Sequence, residues 1–191
     1  HWYHQPERLG SPTESAVPLP VIPGFLVAPM AVADAAEWAE YAVLAEVNRF
    51  TSTVTRSAAD IVPMIERSLS GDPNAAVLFA VREPNSGQFV ASVGFHTVSS
   101  LNRTAEVTYT VHPAFWGQGL ATAACAGAVH WAFQHRQWVR VQATTLEEHV
   151  ASQRVLLKCG FAFEGKLRNL RIVRGEPRDY RLYACIPVRP G

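Results

Sequence analysis

Charge of either sign is scarcely in excess in this sequence. Its 17 Lys and Arg against 16 Asp and Glu leave a formal charge of +1. Phosphate backbones require a concentrated positive surface, so nucleic acid is not expected as a partner. Cysteine is scarce as well. Cys125, Cys159 and Cys185 are odd in number and far apart, which argues against a disulfide framework and gives no paired spacing for zinc, so no metal is expected. Unbroken apolar runs are missing too. The most apolar N-terminal stretch, Ala16 to Met30, carries Pro18, Pro20, Pro23 and Pro29, which would break a spanning helix and are atypical of a signal segment. No membrane or export segment is expected, and a cytoplasmic location fits. What remains is an ordinary globular composition: 191 residues, 48% hydrophobic, enough for one well-buried domain.

Residues 1–22 mix Pro, Ser, Gly, His and charge without apolar periodicity and read as an extended arm, leaving residues 23–191 as the domain. After a short strand at Phe25 to Val27, Asp34 with Glu37 forms the reciprocal capping pattern ahead of AAEWAEYAVLAEV, and Ser57 with Asp60 repeats it ahead of IVPMIERSL. Two early helices are predicted. Ala76 to Val81 and Phe89 to Val98 are β-rich runs joined by the turn formers Glu83 to Gly87, and a third strand is predicted over Ala105 to His112. There follow a helix from Gly119 to Gln134, a strand Val139 to Thr145, a helix Ala151 to Cys159, and two strands around Arg174 to Pro177. The order is mixed α/β.

The stretch Ala105 to Thr122, AEVTYTVHPAFWGQGLAT, runs a strand into a glycine-bearing turn that opens an Ala-rich helix. The first N–H groups of a helix lack intrahelical partners and the dipole is positive there, so this unit suits an anion such as a pyrophosphate. Gly117 and Gly119 also begin a dinucleotide-binding pattern. That pattern is incomplete: Thr122 stands at its third small position and no acidic residue sits at the required distance beyond. Leu120, Ala124 and Ala128, flanked by Ala121, Cys125, Val129 and Ala132, recur at helical spacing and read as a core-packing face. Cys125 and Cys159 read as small apolar residues without a covalent role. His96, His112 and His130 are dispersed and read as structural.

Trp116-Gly117-Gln118-Gly119-Leu120-Ala121 resembles the Gln/Arg-x-x-Gly-x-Gly/Ala turn of the GNAT superfamily of acyl-CoA-dependent N-acyltransferases. Trp in first place departs from that general pattern but looks like the Tyr-Trp-Gly-Gln-Gly form of the RimJ/RimL-type branch. A second stretch, Glu148 to Phe161, is similar to that branch's Asn-x-Ala-Ser followed by Val-Leu-x-Lys-x-Gly-Phe. The resemblance implies an α/β (α+β) fold with a mixed central sheet splayed between two parallel strands and flanked by helices. It implies acetyl-CoA as co-substrate. Backbone amides of Gln118, Gly119, Leu120, Ala121 and Thr122, with Trp116 and Gly117 in the same loop, would hold the pyrophosphate. The backbone at Tyr109, Thr110 and Val111 would hold the pantetheine arm, and a main-chain N–H near Thr110 or Val111 would stabilise the oxyanion. His149 replaces the family's usual Asn and is a candidate cofactor contact. Leu156 stands where many members carry a proton-donating Tyr.

Direct acyl transfer needs a neutral amine and benefits from a proton donor for the departing thiolate. Glu106 is the candidate base, with a strand-end ion pair as its alternative reading. Ser152 is the candidate donor and cofactor contact, with a helix cap as its alternative, and Trp116 is equally readable as a loop anchor. An α-amine titrates at about 7.7–8.0 against about 10.4 for lysine, so a protein N-terminus needs less help to become nucleophilic. This agrees with the RimJ/RimL-type resemblance, whose members acetylate ribosomal-protein N-termini. A small-molecule acceptor (polyamine, amino acid or antibiotic) and a non-catalytic acetyl-CoA sensor stay open, as does a homodimer. Arg171, Arg174, Arg178 and Arg181 in the terminal hairpin read as a solvated face or as contacts for an acidic acceptor.

Overall fold

The computed structural model describes residues 17–188. Seven strands pair in the order β1-β2-β3-β4-β5-β7-β6, with β1 Leu26–Pro29, β2 Val77–Arg82, β3 Phe89–Ser99, β4 Thr104–Val111, β5 Arg140–Leu146, β6 Ala162–Val173 and β7 Glu176–Cys185. All pairs are antiparallel except β4 with β5. That parallel pair extends only from Thr104↔Arg140 to Glu106↔Gln142. Beyond it β4 runs on to Val111 and β5 to Leu146 without pairing to each other, so the sheet splays open between them. The expected hairpin between β2 and β3 is closed by the Glu83 carboxylate, which accepts the N–H groups of Asn85 (3.0 Å) and Ser86 (2.7 Å).

Alternation along β4 divides its side chains between the two faces of the sheet. The Tyr41 hydroxyl of α1 (Ala35–Ala42) bonds Thr110 Oγ1 at 2.8 Å, so Glu106, Thr108 and Thr110 face α1, α2 (Ala45–Asn48) and α3 (Ala58–Ser68). Tyr109 reaches Ser152 of α5 (Val150–Lys158), so Val107, Tyr109 and Val111 face α5 and α4 (Leu120–His135). The predicted small-residue stripe of α4 is its buried face, with Leu120, Ala124, Cys125, Ala128, Val129 and Ala132 in the main core. Of residues 1–22, positions 1–16 lie outside the described residues. Ile22 is buried, and the Trp131 indole donates to Pro18 O at 2.6 Å.

Two local expectations need correction. A single early helix was expected through Val47, but it breaks at Leu44, which is extended. The buried Asn48 amide donates to Ala42 O (2.9 Å) and accepts from Thr55 N–H (3.0 Å). It therefore takes a carbonyl the helix would otherwise use and fixes the loop after α2. Asp34 does not cap α1 with its side chain. Its carboxylate (2.7 Å) and that of Glu37 (3.0 and 3.1 Å) instead grip Arg82 of β2, three charge-assisted bonds that outcompete one cap. The Ser57 cap forms, with Ser57 Oγ accepting Ala59 N–H, but Asp60 reaches one residue further back than the reciprocal pattern requires and accepts Arg56 N–H.

Candidate functional site

Helix α4 begins on an uncapped turn. Gly119 is its N-cap in the left-handed region (φ 78°) with no side-chain cap bond, and Gly117 shares that conformation (φ 76°). The first intrahelical bond runs from Ala123 N–H to Gly119 O at 3.0 Å. The N–H groups of Leu120, Ala121 and Thr122 therefore have no intrahelical acceptor, which leaves a positive helix end open to an anion. Trp116 is half exposed and its indole donates to Val111 O at 2.8 Å, so it anchors the loop to the end of β4. Gln118 is exposed and does not line the cleft; its neighbours Trp116, Gly117, Gly119, Leu120, Ala121 and Thr122 do.

The cleft has a volume of about 980 Å³ and follows the splay between β4 and β5. His112 N–H donates to Val90 O on β3, so strand alternation turns the N–H groups of Tyr109 and Val111, not that of Thr110, toward the open edge. This narrows the expected oxyanion donor to Val111. The carbonyl on that edge at Val111 is already taken by Trp116.

On the α5 side, Ser152 Oγ and Tyr109 Oη lie 2.9 Å apart, both lining the cleft. Burial raises the Tyr109 phenol well above its usual range, so it stays protonated. The sequence suggested Ser152 as a donor but gave Tyr109 only a backbone role. Leu156 is fully buried in the core and has no place in the cleft lining. His149, just before α5, stacks on Phe50 with ring centroids 4.2 Å apart and planes 6° apart. Burial pushes its imidazole down to about 4. It is therefore neutral at pH 7, able to offer a flat ring and a hydrogen bond but no charge.

A pH dependence of stability follows. An unfolded histidine titrates near 6.5, so below that pH the unfolded chain takes up a proton that folded His149 refuses until about 4. Stability should therefore fall as pH drops across this window. In His149→Gln the decline should be shallower, as read by urea midpoints at a series of pH values; parallel curves would refute the buried neutral imidazole.

On the opposite face sits Glu106, only 4% exposed. Its carboxylate accepts from Gln142 Nε2 (2.9 Å) and Thr144 Oγ1 (3.2 Å), and faces His96 Nε2 at 3.2 Å and the Arg171 guanidinium at 3.6 Å. His96, expected to be structural, is thus a site residue, brought there by the β3–β4 register that pairs His96 with Glu106. Burial is the main influence on His96 and lowers its pKa, with Arg171 adding to the effect and Glu106 opposing it. Arg171 does not lie on a solvated hairpin face: it turns into the cleft and donates to Thr144 Oγ1 at 3.1 Å. Arg178 pairs with Glu148 at 2.8 Å, and Arg181 covers the Phe163 ring. None of Glu106, His96 and Arg171 shares a local motif, so only the sheet register could have grouped them.

Residues 25–162 match the family described as acetyltransferase (GNAT) domain, and the chain belongs to it. Its mixed seven-stranded sheet with one parallel pair is the fold of that family. Among curated proteins it is similar to the uncharacterized N-acetyltransferase YoaA of Bacillus subtilis (strain 168), 28% identical over 113 residues, 59% of this chain and 64% of that one. It is also similar to the ribosomal-protein-serine acetyltransferase of Escherichia coli (strain K12), 27% identical over 99 residues, 52% of this chain and 55% of that one. The matched span thus covers under two thirds of either relative. Among solved structures, Mycobacterium smegmatis RimJ in complex with CoA-disulfide superposes with a TM-score of 0.75 at 24% identity, covering 85% of this chain and 81% of that one. These relatives agree with the RimJ/RimL-type resemblance. Among the described residues no cluster of His, Cys, Asp or Glu could hold a metal, and no helix is long and apolar enough to cross a membrane.

Proposed function

We propose that this chain transfers the acetyl group of acetyl-CoA directly to a primary amine, and that the acceptor is a protein N-terminal α-amine. The observation that carries this reading is one cleft with two unlike ends: an uncapped helix N-terminus and a pair of part-buried hydroxyls on one face of the sheet, and a buried carboxylate on the other. The first end fits CoA, since its free N–H groups suit a pyrophosphate and the unpaired edge of β4 suits the amide-bearing pantetheine arm. The second end fits an amine that must lose a proton.

The amine nitrogen attacks the thioester carbonyl carbon, forming the C–N bond. The oxyanion is held by the Val111 N–H, and the amine proton passes to Glu106 directly or through water. Collapse breaks the C–S bond, and the leaving thiolate takes a proton relayed from solvent through the Ser152–Tyr109 hydroxyl pair while Glu106 returns its own to water, so the pair stands in for the Tyr missing at Leu156. An α-amine is favoured because a useful fraction is already neutral at pH 7. The similarity to ribosomal-protein acetyltransferases supports a protein acceptor.

The test is thiol release from acetyl-CoA against Ala-, Ser- and Met-starting peptides, lysine peptides, polyamines and amino acids. Turnover of about 1 s⁻¹ or faster with α-amino peptides is expected. Polyamine turnover alone would move the acceptor to small molecules, and tight acetyl-CoA binding without any turnover would leave a sensor.

A further inference from the structure

Arg171 is poorly satisfied where it stands. One of its amino groups donates to Thr144 Oγ1 at 3.1 Å. The other is 3.6 Å from Glu106, well beyond the roughly 2.7–2.9 Å of a strong charge-assisted bond. A guanidinium has five N–H donors in a planar fork shaped for a carboxylate, so most of its capacity is unspent. Its side chain is one third exposed to the cleft. Beneath it, with the guanidinium carbon 4.7 Å from the ring centre, lies Tyr180. Tyr180 is 3% exposed, lines the same cleft, and its hydroxyl has no partner among the described residues. Burial is the main influence on Tyr180 and raises its pKa, with the neighbouring Arg171 opposing it, so the hydroxyl stays protonated. A buried donor left unpaired is costly, and its presence beside an unspent guanidinium points to an acceptor group that arrives with the ligand.

The other charges of the cleft narrow the chemistry. His96 is held toward neutrality by burial and His149 is neutral at pH 7. Lys158 belongs to α5, on the other face. Among the described residues Arg171 is thus the permanent cation lining the Glu106 end. Glu46, exposed on α2, offers an anion at the lip. An incoming ammonium has Glu46 to approach and Glu106 to receive its proton, while a second cation on the acceptor would meet Arg171.

We infer that Arg171, with Tyr180, binds a carboxylate adjacent to the acceptor's amine, and so selects amines that carry a neighbouring acid over neutral or dicationic ones. This rests on the acetyl-transfer reading, not on a protein acceptor, and names the substrate class: an acidic first residue would narrow the protein N-terminus proposed above, and a free amino acid would replace it. Two sources share the chemistry: the α-carboxylate of a free amino acid, and an acidic first side chain of a peptide. When that carboxylate takes the guanidinium, Glu106 is released from its cation and left to the amine, so recognition and proton removal are linked.

The test is equilibrium binding of acetylated product analogues to the protein saturated with CoA, by calorimetry. N-acetyl-alanine probes the α-carboxylate and N-acetyl-aspartyl-alanine amide the side-chain acid; N-acetyl-alanyl-alanine amide and N-acetyl-lysyl-alanine amide are the neutral and cationic references. One of the two acids should bind about tenfold tighter than the references or better, the scale of one charge-assisted hydrogen bond, and which one does identifies the source. The preference should vanish in Arg171→Gln and shrink in Tyr180→Phe, and Arg171→Glu should turn it toward the lysyl compound. Equal binding of all four, or a preference unchanged in Arg171→Gln, overturns the inference even if acetyl transfer is observed. Absence of turnover with the binding preference intact would instead sink the transferase reading and leave this site standing.

Discussion

Gly94→Ala is expected to destabilise the protein severely, although the change adds one methyl group. Gly94 lies mid-strand in β3, between Leu78 of β2 and Thr108 of β4. A Cβ built there would overlap the backbone carbonyl oxygen of Val77 and touch the Val77 carbonyl carbon and Leu78 Cα. All three are main-chain atoms of a paired strand, so no side chain can swing aside. Relief requires β2 to move away from β3, and β2 carries Phe79 and Val81 into the main core and Leu78 and Ala80 into the core under α1 and α3. Both layers would loosen together. A cost of about 4 kcal/mol or more belongs to this kind of overpacking, a large share of the roughly 5–15 kcal/mol that holds a domain folded. Where soluble protein is obtained, Tm should fall by about 8–16 °C. Gly87→Ala is the control: it sits at φ 73° in the exposed β2–β3 turn with nothing within 4 Å of its added Cβ, so only left-handed strain of about 1–2 kcal/mol is expected. If Gly94→Ala melts no lower than Gly87→Ala, the close approach of β2 to β3 is wrong.

Gly94 also marks where the sequence stopped being readable. Its strand was legible from β-rich composition, but a glycine inside such a run gives no sign of which neighbouring carbonyl it admits. The elements were legible because each signal is local: the Ser57 cap, the Glu83 to Gly87 turn, and the glycine turn opening a small-residue helix. The glycine turn at the start of α4, proposed as the cofactor end of the cleft, was legible for the same reason, being built from consecutive residues. The acceptor end was not. His96, Glu106, Thr144 and Arg171 come from four strands and meet only through register. The Tyr109–Ser152 pair spans a strand and a helix. Even the break in the first helix, inside a sequence of good helix formers, depends on a buried Asn48 side chain whose burial no propensity reveals.

Glu106→Gln should reduce kcat/KM for an α-amino peptide at pH 7 by about 10²- to 10⁴-fold, the usual worth of a general base. The substitution keeps the shape and removes the charge, but it cannot keep the contacts. The carboxylate faces Gln142, Thr144, His96 and Arg171, and an amide nitrogen placed on either side meets at least one of these donors. Some loss of stability will follow. Arg171 is one third exposed and can turn to solvent, so that loss should be far smaller than for an unpaired buried charge. Acetyl-CoA affinity provides the internal check: the α4 turn lies across the sheet from Glu106, and distant sites act independently, so Kd should stay within about twofold. The pH profile then separates a base from a mere ion-pair partner. Without Glu106 the reaction depends on the fraction of amine already neutral, so the variant's rate should climb by up to about tenfold with pH through about 8 and narrow the gap with wild type by that factor. A structural carboxylate would instead leave a deficit constant with pH. A loss of only about threefold at pH 7, with unchanged acetyl-CoA binding, would assign Glu106 to holding Arg171 and His96 in place and move proton removal to water.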